Sequence, residues 1–181
     1  MKSKALAISL LAVTTITGYS NTSFAEQACF DVEEGITAYS VEGSITTENV
    51  TDTLQIGDIN LTVHNGDGEE VFAESGSLAG NITGTDSYGA TLLSHVARFP
   101  KGNSFVTNGD RAVLTEPYVR ATLEDGTPCS FWIQETISNI SLGTRFFRQF
   151  TGIEVIADGH VSNCPGDNEN HFVLSGCLYV E

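Results

Sequence analysis

The sequence predicts an all-β protein, a closed antiparallel β-barrel of about eight strands running as a meander. Three observations predict it. Apolar and polar residues alternate with a period of two through successive segments of the chain. Clusters of Gly, Asn, Asp and Pro separate those segments at regular intervals. No stretch after residue 25 repeats its apolar residues at the 3.6-residue spacing of an amphipathic helix.

The first 25 residues stand apart from the fold. Lys2 and Lys4 precede a mostly apolar run, residues 5–16, which is too short to cross a bilayer. Ser23, Phe24 and Ala25 then place small residues at the −3 and −1 positions of a cleavage site. We therefore expect a signal peptide over residues 1–25, export to the periplasm or beyond, and a single domain over residues 26–181. That mature chain carries 6 Lys+Arg against 23 Asp+Glu, a formal charge of −17. So much negative charge repels phosphate backbones and anionic lipid headgroups, which argues against nucleic acid and membrane surfaces as partners.

The strands are expected over residues 28–45 with a break at Gly35, then 53–63, 71–83, 90–99, 104–114, 118–123, 130–141, 150–161 and 171–180. Turn residues sit between them, as at Asn65, Gly66, Asp67 and Gly68, or Glu124, Asp125 and Gly126. Pro100, Pro117, Pro128 and Pro165 are all expected at strand ends or in turns, where a missing N–H breaks no ladder. Within residues 150–161, Ile153, Val155, Ala157 and Val161 share one face, and Glu154, Asp158 and His160 the other. An outer-membrane barrel alternates too, but the aromatic girdles of that class are missing here.

Cys29, Cys129, Cys164 and Cys177 all fall after the signal segment, and an even number in an exported chain implies two disulfides. Three pairings are open. We favour Cys29–Cys177, because a closed barrel sets its first and last strands side by side, and Cys129–Cys164, whose members fall near one end of the sheet. No C-x-x-C occurs and the histidines show no ligand spacing, so neither a metal nor another cofactor is expected. G-x-S-x-G is also absent.

Two polar residues interrupt apolar faces. His95 shares a face with Leu93, Ala97 and Phe99, and Glu135 shares one with Phe131, Ile133 and Ile137. If both point into one barrel, burial and a neighbouring charge tune them for acid–base work. The alternative is a hydrogen-bonded core histidine and a glutamate at the barrel mouth. A second polar group is Arg98, Thr107, Asp110 and Arg111, in which Asp110 is expected to pair with one of the arginines and brace a hairpin. A third, Arg145, Phe146, Phe147, Arg148 and Phe150, suits cation–π packing along a strand.

Residues 143–152 read G-T-x-x-F-R-x-x-x-G. The spacing resembles the GTG-x-F-x-x-A-x-G turn of the allene oxide cyclase and dirigent superfamily. Gly143, Thr144, Phe147 and Gly152 match, while Arg145 stands at that family's second glycine and Phe150 at its small residue. Residues 80–110 are similar to exported bacterial proteins that carry the same turn. The resemblance implies a closed eight-stranded barrel whose apolar central cavity binds small apolar molecules and steers their cyclisation or coupling. It transfers no active-site residue to this chain.

These readings converge on an exported barrel that binds a small apolar molecule, with Leu93, Ala97, Phe99, Phe131, Ile133 and Phe147 as the expected pocket. A cyclase or isomerase using His95 and Glu135 as catalytic residues is the second expectation. A structural or surface-interaction domain with a filled barrel is the third. The internal space of the folded chain separates them.

Overall fold

The computed structural model of the chain describes Cys29 and residues 34–181. The expected signal segment, residues 1–25, lies outside the described residues. Among the described residues ten strands form a single antiparallel sheet: β1 (Thr37–Asn49), β2 (Leu54–His64), β3 (Glu70–Thr85), β4 (Thr91–Arg98), β5 (Ser104–Thr107), β6 (Asp110–Thr122), β7 (Pro128–Ile137), β8 (Ile140–Thr144), β9 (Gly152–Ser162) and β10 (Glu169–Val180). Eight of them close a hydrogen-bonded ring in the order β1-β2-β3-β4-β6-β7-β9-β10, with β10 pairing back onto β1. Sequence neighbours pair throughout, apart from the β5–β8 excursion. Among the described residues no helix is long and apolar enough to cross a membrane.

Period-two patterning places the core inside the ring. Val41 and Ile45 of β1, Ile59, Leu61 and Val63 of β2, Ile153, Val155 and Ala157 of β9, and Phe172, Leu174 and Leu178 of β10 are buried together. The intervening positions, such as Glu154 and Asp158, face solvent. At Asn65 the β2–β3 turn is locked by its own side chain, whose Oδ1 accepts hydrogen bonds from the Asp67 and Glu69 amides at 3.0 and 2.9 Å.

Three expectations need correction. The expected strand at 104–114 breaks at Asn108 and Gly109, where Gly109 has φ +75°. β5 and β6 then lie end to end along β4, with Val96 opposite Val106 and Leu93 opposite Asp110. The expected strand at 130–141 likewise breaks after Ile137. β7 stays in the ring, and β8 leaves it to pair with β5. Pro117 is not at a strand end. It sits inside β6, and the β6–β7 register jumps between Leu114 and Val119 around it, because proline has no N–H to give the ladder.

Residues 143–152 also differ from a turn-to-strand handover. β8 runs into a 3-10 helix, Arg145–Gln149, before β9 begins. The helix folds back over Gly143, where an added Cβ would lie 2.7 Å from the Phe147 carbonyl carbon, so only glycine fits. The fold-back drives Phe147 into the ring, where it is 1 % exposed. There it meets Phe72, Phe99 and Phe105 at ring-centroid distances of 5.1, 5.5 and 5.0 Å. Phe146 stacks on Phe72 and meets Phe150 edge to face. The phenylalanines of this cluster therefore pack on one another and plug one end of the ring, each buried ring contributing about 2–3 kcal/mol of transfer free energy.

Both disulfides pair as expected. Cys29–Cys177 ties the segment before β1 to β10, and Cys129–Cys164 ties the start of β7 to the loop after β9.

Candidate functional site

Three strands of the ring each deliver one ionisable side chain to the same interior point. His95 lies on β4 directly across from Gly80 of β3. A Cβ at Gly80 would sit 2.8 Å from the imidazole Cδ2 and Nε2, so the glycine makes the space in which the ring lies. The bulge at Asn108 and Gly109 brings Thr107, the last residue of β5, and Asp110, the first of β6, to the same place. Both are 0 % exposed. Glu135 lies on β7 between two small neighbours, Ala112 of β6 and Ala157 of β9, which leave room for its carboxylate.

The hydrogen bonds run in a chain. The His95 amide donates to Thr107 Oγ1 at 3.1 Å, and the Thr107 hydroxyl donates to Asp110 Oδ2. His95 Nδ1 lies 2.8 Å from Asp110 Oδ2 and 3.4 Å from Glu135 Oε1. A single Nδ1–H satisfies the nearer carboxylate and not both. Asp110 Oδ1 and Glu135 Oε1 are accordingly buried with no hydrogen-bond partner among the described residues. Such orphans are rare in folded proteins and call for an explanation.

Electrostatics reflect that geometry. Burial pushes the Glu135 carboxyl up to about 7, an effect His95 opposes and the Asp110 charge reinforces. Burial alone would lower His95. The Asp110 hydrogen bond and the charges of Glu135 and Asp110 outweigh it, so the imidazole titrates above its usual range. Both shifts keep protons on the cluster at pH values where the free side chains would lose them. One imidazole nitrogen and two carboxylates, with donor atoms all within 4.8 Å of one another, also make it a group able to ligate a metal ion.

Two spaces adjoin the cluster. The centre of the ring keeps a void of about 30 Å³, lined by His95, Thr107, Glu135, Phe105, Phe147 and aliphatic side chains. The end opposite the phenylalanine plug opens into a cleft of about 460 Å³. Its walls include Leu93, Ile133, Val161 and Phe172, its rim Asn49, Thr51, Asp52 and Asn163, and Glu135 reaches it from below. Glu135 alone of the cluster borders both spaces.

The expected pocket residues separate on this map. Leu93 and Ile133 line the open cleft, and Phe147 lines the central void. Ala97 and Phe99 are packed into the core beside the phenylalanine plug. Phe131 borders an adjoining space of about 520 Å³, which shares Thr91, Ala112 and Ile133 with the cleft. The expected roomy central cavity is replaced by side chains and a water-sized gap.

Asp110 is the residue that sequence reasoning placed wrongly. It pairs with His95 and not with Arg98 or Arg111, while Arg111 bonds Asp86 at the surface at 2.7 Å. The clue lay in Thr107, Asn108, Gly109 and Asp110. One extra residue at Asn108 and Gly109, a bulge relative to β4, shifts the parity of the residues beyond it, so Thr107 and Asp110 end on one face. Comparison with family models, with curated proteins and with solved structures finds no match to this chain.

Proposed function

We propose that the protein is an exported closed barrel that binds one small, largely apolar molecule through the open end of its ring. The cleft of about 460 Å³ carries this reading. It has the size of a small-ligand site, with apolar side chains such as Leu93, Ile133, Val161 and Phe172 on its walls and polar side chains around its mouth and floor. The opposite end is filled by phenylalanines, so a ligand enters from one side only and lies against Leu93, Ile133 and Phe172. The Asn and Thr side chains of the rim meet the ligand's polar end, and Glu135 is the polar group at the floor. The two disulfides suit an oxidising compartment outside the cytoplasm.

The test is extraction of the protein purified from its own host, followed by mass spectrometry of the organic phase. One small apolar compound near one per chain is the expected result. Ile133→Phe, which fills the cleft, should release it. An empty extract, together with no saturable binding of an apolar fluorescent dye that Ile133→Phe abolishes, would overturn the reading.

A further inference from the structure

His95, Asp110 and Glu135 are 7, 0 and 6 % exposed, and two of their carboxylate oxygens have no partner among the described residues. Buried charge is tolerated when it is paired or coordinates a metal. Within the protein the pairing is incomplete, because one imidazole N–H faces two carboxylates. The cluster also sits where an ion can reach it, since Glu135 forms the floor of the open cleft.

We propose that His95 Nδ1, Asp110 and Glu135 form a binding site for a single divalent transition-metal ion of the Mn²⁺, Fe²⁺ or Zn²⁺ class. The inference does not depend on the identity of any organic ligand in the cleft. A dication with a neutral imidazole and two carboxylates leaves the buried cluster without net charge. Ligands about 2.1 Å from an ion and at right angles to one another lie about 3 Å apart. The observed separations from Nδ1, 2.8 and 3.4 Å, bracket that value. Imidazole and carboxylate without thiolate suit these metals, whereas Ca²⁺ takes six to eight oxygens and Cu(I) prefers sulfur.

The surroundings fit the same reading. The Thr107 hydroxyl donates to Asp110 and is itself held by the His95 amide, which orients the carboxylate as outer-shell partners of metal ligands do. Metal on Nδ1 requires the imidazole proton on Nε2. The void of about 30 Å³ beside Thr107 and Glu135 accommodates one water as a further ligand. The outer-face histidines His160 and His171, with ring centroids 5.3 Å apart, are the natural competitor for an added metal and serve as the control.

The experiment titrates chelator-stripped protein with Mn²⁺ and with Zn²⁺ in separate calorimetric runs. One ion per chain is expected with a Kd in the micromolar range or tighter. Glu135→Gln and Asp110→Asn should each weaken it at least about tenfold, and His160→Ala should leave it unchanged. Should the buried variants not fold, the wild-type protein decides. Substoichiometric Mn²⁺ should broaden the NMR signals of Leu93 and Ile137 before those of Trp132 and Val173. No binding up to about 1 mM ion, binding that Glu135→Gln and Asp110→Asn retain, or broadening centred on the outer histidines would each overturn the proposal.

Discussion

Asn170 and Glu135 are both buried polar residues that reach the inside of the same ring, yet their surroundings have opposite character. Asn170 is 0 % exposed and has its partners. Its Oδ1 accepts from the Ser162 amide at 2.9 Å, and its Nδ2 donates to Thr47 Oγ1 and Asn49 Oδ1 at 3.2 and 2.9 Å. That cluster is neutral and clamps β1, β9 and β10 together at the rim of the cleft. The cluster of His95, Asp110 and Glu135 is ionisable, brings two carboxylates to one imidazole and leaves two oxygens unpaired among the described residues. A satisfied neutral network is what holding strands together requires. An unsatisfied charged one adds little to stability and is explained by what it can bind.

The contrast is most exposed at Asp110. Asp110→Ala strips His95 and Thr107 of their shared acceptor and leaves the imidazole beside a lone Glu135. In metal-free protein this should cost about 3–5 kcal/mol in urea unfolding, the usual cost of breaking a buried charge pair. A loss below about 1 kcal/mol would show that the pair is not formed.

Glu135→Gln should move stability the other way. A carboxyl raised from 4.5 to about 7 on folding binds protons more tightly in the native state. Its penalty is absent below about pH 4.5, grows as pH rises and is complete above about pH 7. His95, raised as well, contributes stability at low pH that is lost as pH climbs past its folded value. Wild-type protein in chelator should therefore weaken from about pH 5 to pH 8, by about 2–3 kcal/mol for the Glu135 part. Glu135→Gln should flatten that slope and be the more stable protein at about pH 8. A wild-type profile that rises over this range would defeat the assignment.

Asn170→Ala should cost about 1–3 kcal/mol, because the Ser162 amide and the Thr47 hydroxyl lose their partner. The loss should be the same at about pH 5 and pH 8, since nothing in that cluster titrates. Equal pH dependence in the Asn170 and Glu135 variants would erase the distinction between the clusters.

Gly80→Ala probes the same contrast with the smallest change. The new methyl meets the His95 ring at 2.8 Å and forces it to shift. We expect a loss of about 1–2 kcal/mol in metal-free protein and a weakened response to added Mn²⁺, with Asn170 undisturbed. Unchanged metal binding would mean that the position of His95 is not critical.

The alternation of residues was enough to read most of the ring strands and the inward face of β9, because a strand's side chains obey a period of two whatever they pack against. His95 and Glu135 were legible for the same reason, as polar residues on apolar faces. Asp110 was not, since its face depends on the extra residue that bulges from the ladder at Asn108 and Gly109. Pro117 inside β6 was missed because a local jump in register absorbs a residue that an unbroken ladder excludes. Arg145–Gln149 escaped as well. Its short helix answers to the phenylalanines beneath it and not to any repeat in its own residues.

Local backbone preference and composition were sufficient for the all-β class, the turns at Asn65 and Gly126, the acidic charge and the four cysteines available to pair. Tertiary structure alone decided that β8 leaves the ring, that phenylalanines close one end, and that the open space lies at the other. It also decided that residues 15 and 40 positions from His95 meet it across the ring. The physical reason is that strand pairing joins residues distant in the chain, and the charges it brings together have no spacing in sequence that announces them.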